Sequence, residues 1–303
     1  MRVATAFAFQ NSIDAMNDRQ AQLVRSQQEL STGKKLLSAG EDPMAAAAVE
    51  RTRSAQRRNE IQTRMNDFAG STLRQAEQTL GQTTEVMQML REGAVQIGNA
   101  TLSAGDRAMI ITQFKGYRDE LLSLANRPDG SGGYLFGGQG SRSAPFVDGA
   151  SVIYQPDVGE QQVGMDSDTP TSLDGRATFM NLPAGAGTQS VFDLLDNAIA
   201  LLGNPATSQA VVKATATATL SGLDTAIDRV STKRTEVGEH LRAIESRGRL
   251  AEQGAIELSA QMSDLVDVDF AKAISDFQNN QTAQSAAMKT YSQISKLSLF
   301  DYL

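Results

Sequence analysis

The chain has no cysteine, no tryptophan and one histidine in 303 residues. Without thiols it can form no disulfide, offers no thiolate to a metal, and is indifferent to the redox state of its compartment. The lone His240 cannot build a zinc site of the usual type. No nucleophile elbow accompanies it for a Ser-His-Asp arrangement, and its place beside Val237 and Leu241 reads as a solvated or interface-packed side chain. Aromatic residues make up only 5% of the chain. Large apolar residues are thinly spread among Ala, Gln, Ser, Thr and charged residues, a mixture that suits long helices with narrow apolar seams better than a thick core. No run approaches the roughly 18–20 continuous apolar residues of a membrane span, so no membrane insertion is expected. Met1-Arg2-Val3-Ala4-Thr5 leads into mostly polar sequence, with no visible secretory signal. A soluble cytoplasmic protein is the default expectation, although an export route without a cleaved signal would escape this test. The net charge of −7, with both signs interspersed, argues against a nucleic-acid binder and against adsorption to an acidic membrane surface.

What is present falls into three zones. From Gly130 to Gly187 the chain is rich in Gly and Pro, with short apolar stretches such as Val152-Ile153-Tyr154. This predicts a small β domain with tight turns, inserted between two helical arms. In the first arm, Ile13, Met16, Gln20, Leu23, Gln27, Leu30, Lys34 and Leu37 step by alternating three and four residues. Gly40-Glu41-Asp42-Pro43 then signals a turn, with Asp42 as N-cap and Pro43 at the first helical position. The seam resumes through Leu73, Ala76, Leu80, Thr83, Met87, Leu90, Ala94 and Ile97. A continuous helix from Pro43 to Asn99 would be about 85 Å long at about 1.5 Å per residue. Gly70, Gly81 and Gly93 weaken that expectation. Ser103 opens a further helix that ends before Pro128.

The second arm starts after Gly203-Asn204-Pro205 and keeps its heptad from Leu220 to Leu265. The phase slips at Asp264–Asp269, and a new stripe begins: Phe270, Ile274, Phe277, Gln281, Gln284, Met288 and Tyr291. Neither arm can bury its seam alone, so the terminal helices are expected to pack on each other. Gln20, Gln27, Lys34, Gln281 and Gln284 sit where apolar residues belong. Such ends gain little from burial to offset conformational entropy and are expected to order only on joining an assembly.

Other patterns have plainer readings. Ser31-Thr32-Gly33-Lys34-Lys35 lacks the first glycine and final Ser/Thr of a phosphate-binding loop and reads as a helix-breaking turn. Gly138-Gln139-Gly140 puts Ser143 where a dinucleotide motif needs glycine. Asp264, Asp267 and Asp269 lack EF-hand spacing, and helix-junction capping by Asp267 and Asp269 is expected instead. Arg51, Arg53, Arg57, Arg58 and Arg64 spread around more than one helical face, as a solvated face or a subunit contact.

Two stretches carry a family resemblance. Gln28-Glu29-Leu30-Ser31-Thr32-Gly33-Lys34-Lys35-Leu36 with Ala39-Gly40-Glu41-Asp42-Pro43-Met44-Ala45-Ala46-Ala47 resembles the amino-terminal signature of the flagellin superfamily. Leu265-Val266-Asp267-Val268-Asp269-Phe270-Ala271 and Leu297-Ser298-Leu299-Phe300-Asp301-Tyr302-Leu303 resemble its carboxyl-terminal signature. Within the superfamily, Gly132-Gly133-Tyr134-Leu135-Phe136-Gly137-Gly138 and the Leu-Phe-Asp-Tyr-Leu ending are similar to the hook-associated protein 3 family.

The resemblance implies a mainly α fold: an elongated antiparallel long-helix bundle with a small inserted β domain. Residues 1–40 and 263–303 would supply inner-tube helices, 41–128 and 189–262 the two halves of a helical core, and 129–188 the insertion. It further implies a non-enzymatic, cofactor-free structural subunit, extracellular on the flagellum and exported by the flagellar type III apparatus. Its partners would be further copies of itself in the tube, hook-associated protein 1, flagellin and an export chaperone. Filament flagellin and a cytoplasmic coiled-coil adaptor are the alternatives. The residues expected to carry assembly are Ile13, Met16, Leu23, Leu30, Phe270, Ile274, Phe277, Met288, Tyr291, Leu299 and Leu303, with Gly33 and Gly40 redirecting the chain through positive φ or close approach. Phe270 and Phe277 serve either neighbouring subunits or the chain's own N-terminal helix.

Overall fold

The computed structural model describes residues 2–98, 102–139, 142–156, 170–184 and 187–296, without the side chains of 2–6, 8, 9, 12 and 294–296. Six α-helices dominate it: α1 (Arg2–Thr32), α2 (Pro43–Gly98), α3 (Ala104–Ala125), α4 (Val191–Gly203), α5 (Gln209–Val266) and α6 (Phe270–Lys296). Between α3 and α4 lie two antiparallel pairs, β1 (Phe146–Val147) with β2 (Ile153–Tyr154) and β3 (Leu182–Ala184) with β4 (Gly187–Gln189), and a π-helical turn at Arg176–Met180. The mainly α long-helix bundle with a small inserted β region is thus borne out. The chain divides into two compact units: residues 1–60 with 252–303, and residues 61–251.

In the 61–251 unit the seam expected on α2 is fully realised. Leu73, Ala76, Leu80, Thr83, Met87, Leu90, Ala94 and Ile97 are all buried. They face α5 running the opposite way, where Leu223, Ala226, Val230, Val237 and Ile244 are buried. Arg234 reaches Glu77 at 2.6 Å, and Arg91 reaches Asp224 at 2.6 Å. The glycines do not interrupt α2. Gly93 is instead required by packing, because a Cβ there would lie 2.6 Å from Phe114 Cε1 and 3.2 Å from Ile110 Cγ2.

Sequence reading did not isolate α4, although its start is legible. Ser190 and Asp193 form a reciprocal capping box, Ser190 Oγ accepting from the Asp193 amide at 2.9 Å. Ser103 and Asp106 cap α3 in the same way.

The inserted segment adds an aromatic core that it shares with α4. Phe136, Phe146, Phe179 and Phe192 are buried, and Phe146 meets Phe179 edge-on with centroids 5.4 Å apart. Leu135 and Phe136, flanked by glycines, carry the chain inward, and the Tyr154 hydroxyl donates to the Phe136 carbonyl at 3.1 Å. Burial raises the Tyr154 pKa to about 12. The Asn126 side chain behaves like a peptide unit, donating to the Phe146 carbonyl at 2.8 Å and accepting its amide at 2.9 Å. Arg118 on α3 then joins the elements: it grips both oxygens of Asp148 at 2.7 and 2.6 Å and both of Asp196 at 3.0 and 3.2 Å. The hydrogen bonds to Asp148 raise the Arg118 pKa and hold the Asp148 carboxyl below the usual carboxylate range.

Candidate assembly interface

In the unit of residues 1–60 and 252–303, α1 stops at Thr32, short of the Lys34 and Leu37 expected to continue its seam. The cause is Gly33, whose φ of +68° lies in the left-handed region that favours glycine. Its amide donates to the Glu29 carbonyl at 2.8 Å, the single bond that closes a helix of this ending. Gly40 does not share this role. Its φ is outside the left-handed region, and a Cβ on it would meet nothing nearer than Ser38 Oγ at 4.0 Å. The turn there is held by Glu41, whose amide donates to the Ser38 carbonyl at 3.2 Å and whose carboxylate accepts the Leu37 amide at 3.3 Å.

The break after α1 lies against the break between α5 and α6. Lys34 pairs antiparallel with Asp267. The Lys35 amide donates to the Val266 carbonyl at 2.8 Å, and the Val268 amide to the Gly33 carbonyl at 2.9 Å. The Lys35 ammonium also donates to the Asp264 carbonyl. The two Lys35 donors satisfy carbonyls that the end of α5 leaves open, and the cation complements the helix dipole.

Asp269, Asp267 and Asp42 each hold a distinct partner at these junctions. Asp269 caps α6, accepting the Ala271 and Lys272 amides at 3.0 and 3.2 Å. Asp267 instead accepts the Ser263 hydroxyl at 2.6 Å and closes the last turn of α5. Asp42 accepts the Met44 and Ala45 amides at 3.0 and 2.9 Å, with Pro43 at the first helical position where a missing N–H costs nothing.

From this junction α1 and α6 run antiparallel against each other. Gln284 donates to Gln20, and Asn280 Nδ2 donates to Ser26 Oγ at 3.4 Å. Ile13, Met16, Leu23 and Leu30 are half-buried along α1, as are Phe277 and Tyr291 on α6. The other large residues of the expected α6 stripe are not in the seam: Phe270 is 53% exposed, Ile274 45% and Met288 51%. The places expected for Ile274, Gln281 and Met288 are taken one residue earlier by Ala273, Asn280 and Ala287. On α1, likewise, Ser26 is buried and Gln27 exposed. Small residues let the helices approach closely, so steric fit decided the phase where hydrophobicity pointed to the larger neighbour. Leu299 and Leu303 lie outside the described residues.

Two adjoining grooves of about 340 and 350 Å³ flank the junction, sharing Lys34, Arg53 and Val266 in their walls. The cluster Arg51, Arg53, Arg57, Arg58 and Arg64 is exposed, with Arg53 paired to Glu50. Among the described residues no group of three or more His, Cys, Asp or Glu could hold a metal, and no helix is long and apolar enough to cross a membrane.

Both signature regions lie within known family models. Residues 3–141 match the bacterial flagellin N-terminal helical region, and residues 220–303 match the bacterial flagellin C-terminal helical region. Flagellar hook-associated protein 3 of Escherichia coli strain K12 is 34% identical over 319 residues, covering 99% of this chain and 99% of that protein. The chain belongs to the flagellar hook-associated protein 3 family. Flagellin of Bacillus subtilis strain 168 is more distant, at 25% identity over 97% of this chain and 96% of the flagellin. The crystal structure of hook-associated protein 3 from Legionella pneumophila has the same fold, with a TM-score of 0.66 at 17% identity over 72% of this chain and 98% of that one. In this member of the hook-associated protein 3 family, the matched regions contain both junctions, α1 from residue 3 onward and all of α6, whereas residues 142–219, with both β pairs and α4, fall between them.

Proposed function

We propose that the chain is a structural subunit that self-assembles at the hook–filament junction of the bacterial flagellum, with hook-associated protein 1 and flagellin as its neighbours. The observation that carries this reading is the full-length match to hook-associated protein 3, at 34% identity against 25% for flagellin. The role is non-enzymatic and needs no cofactor. Assembly runs through the terminal helices, by way of Ile13, Met16, Leu23 and Leu30 on α1 and Phe270, Ile274, Phe277, Met288 and Tyr291 on α6, with Leu299 and Leu303 beyond it. The polar seam of Gln20, Gln284, Ser26 and Asn280 supports ends that order fully only in the assembly. Export proceeds through the flagellar secretion apparatus without a cleaved signal, and a chaperone takes up α6 along Phe270, Ile274 and Phe277 beforehand.

Immunogold labelling of sheared flagella tests the reading. Label confined to the hook–filament boundary is the expected result. Label along the whole filament would replace it with filament flagellin, and retention in the cytosol with a coiled-coil adaptor. Circular dichroism adds a test of the ends: removal of residues 1–39 and 264–303 should raise helicity per residue in the monomer. Unchanged chaperone affinity after Ala replaces Phe270, Ile274 and Phe277 would remove the proposed chaperone contact.

A further inference from the structure

Two arginines lie on the buried face of α3, and among the described residues only Arg118 has a counter-ion. Arg107 and Arg118 are each 9% exposed and stand about three turns apart on that face. Arg118 is gripped by Asp148 and Asp196. Arg107 has no such hold: among the described residues no carboxylate pairs with it and no oxygen accepts from its guanidinium. It shares the face with buried Ile110, Ile111 and Phe114, where an uncompensated charge is costly. Its nitrogens are not sealed off, since Asn66 Nδ2 is the single fully enclosed side-chain donor without a partner among the described residues. The stem is thus buried while the charged head meets solvent through a narrow opening.

The place of Arg107 in α3 adds to that cost. Ser103 is the N-cap, and side chains on a helix lean toward its N-terminus, which sets this cation near the positive end of the helix dipole. Asp106 forms no ion pair with it, because its carboxylate accepts the Ser103 amide and hydroxyl at 3.3 and 2.7 Å. The Ala104 and Gly105 amides on the same turn have no acceptor among the described residues, and Gly105 brings no side chain to cover them.

We propose that Arg107, with the Ala104 and Gly105 amides, receives one carboxylate from an acidic side chain of a second protein chain. A guanidinium fork beside two amides matches the two oxygens of a carboxylate. A single cation with Asp106 next to it suits a monoanion and disfavours a phosphate dianion. One such contact holds a free ion only weakly, so the carboxylate arrives on a partner that docks through other contacts as well.

Nuclear magnetic resonance of the full-length monomer, titrated with acetate, phosphate dianion or chloride at matched ionic strength, tests the receptor. Acetate should shift the Ala104 and Gly105 amides saturably, and Arg107→Met should abolish the response. Gly105→Pro removes one amide where a first turn tolerates proline, and should weaken acetate binding several-fold. It also keeps the test decisive if Arg107→Met does not fold. Equal shifts from chloride, tighter binding of phosphate, or an unchanged response in the variants overturns the proposal. The source of the carboxylate is read separately in sheared flagella. Arg107→Lys places an amine at the site, which a carbodiimide joins to a carboxylate in contact with it. An amide link from position 107 to an Asp or Glu of another chain is the expected result. A link to an acidic residue of the same chain, or none in flagella that contain the variant, overturns the partner as source. Absence of the parent chain from flagella overturns the junction reading, and the acetate titration on the isolated chain still decides the receptor.

Discussion

Gly33 lies beside the ring of Phe270, and a Cβ on the glycine would sit 3.5 Å from Phe270 Cζ. That is ordinary van der Waals contact, so space does not select glycine there. The φ of +68° does. Gly33→Ala should cost about 1–2 kcal/mol through backbone strain alone, and Gly33→Asn less. The strain falls on the junction, so hydrogen exchange at the Lys35 and Val268 amides should speed up by about tenfold. Unchanged protection of both amides would show that Gly33 does not hold the junction.

The helical glycines divide into two classes with opposite expected effects. At Gly93 a Cβ would press into buried Phe114 at 2.6 Å. Overpacking of about 1–3 kcal/mol then exceeds the gain in helix propensity of about 1 kcal/mol. At Gly116 on α3 a Cβ would meet nothing within 4 Å, so only the propensity gain remains. Urea denaturation should therefore rank Gly116→Ala above the parent chain and Gly93→Ala below it.

Arg118→Met should destabilise the 61–251 unit by about 2 kcal/mol, since it leaves two carboxylates facing each other without their shared cation. The acid limb of stability should change as well. The folded-state pKa of Asp148 lies below its unfolded value, so the pair's contribution is complete above about pH 4 and is lost as pH falls through the depressed value. Melting temperature against pH should fall less steeply below about pH 4 in Arg118→Met than in the parent. Parallel curves would dissociate Asp148 from acid stability.

Tyr154 gives the corresponding alkaline signature. Its folded pKa of about 12 is raised above the ordinary value by burial, so its stabilising contribution is complete below about pH 10 and is lost as pH rises toward the folded value. Ultraviolet titration should show one tyrosine ionising late, and Tyr154→Phe should abolish that step at a cost of about 1 kcal/mol.

Much of the fold was legible because periodicity is dense where burial is deep. All eight α2 seam residues were placed correctly, as were the caps Asp42 and Ser103, whose chemistry is local. At the end of α1 two signals compete: Lys34 and Leu37 preserve heptad spacing past it, while the helix-breaking turn read at Ser31–Lys35 marks it, and the φ of +68° at Gly33 decides for the turn. On α6 the row packed on α1 lies one residue before the expected stripe at Ile274, Gln281 and Met288. Hydrophobicity favours Ile274 and Met288, but close packing favours Ala273 and Ala287, and spacing alone cannot separate neighbours one residue apart. Lys35 carried no signal at all, since its bonds to Asp264 and Val266 join positions over two hundred residues apart in sequence.

The amide-lined seam between α1 and α6 also has a calorimetric consequence. Heat capacity of unfolding scales with the apolar surface exposed, and polar surface lowers it. A contact in which Gln20, Gln284, Ser26, Asn280 and two alanines interrupt a row of half-buried apolar side chains contributes less of the former than the fully buried core of the 61–251 unit. Melting of this helix pair should therefore absorb little heat and spread over a wide temperature range, while the aromatic core around Phe146 and Phe179 gives a defined peak. The terminal pair should then come apart and re-form at temperatures where the aromatic core stays folded.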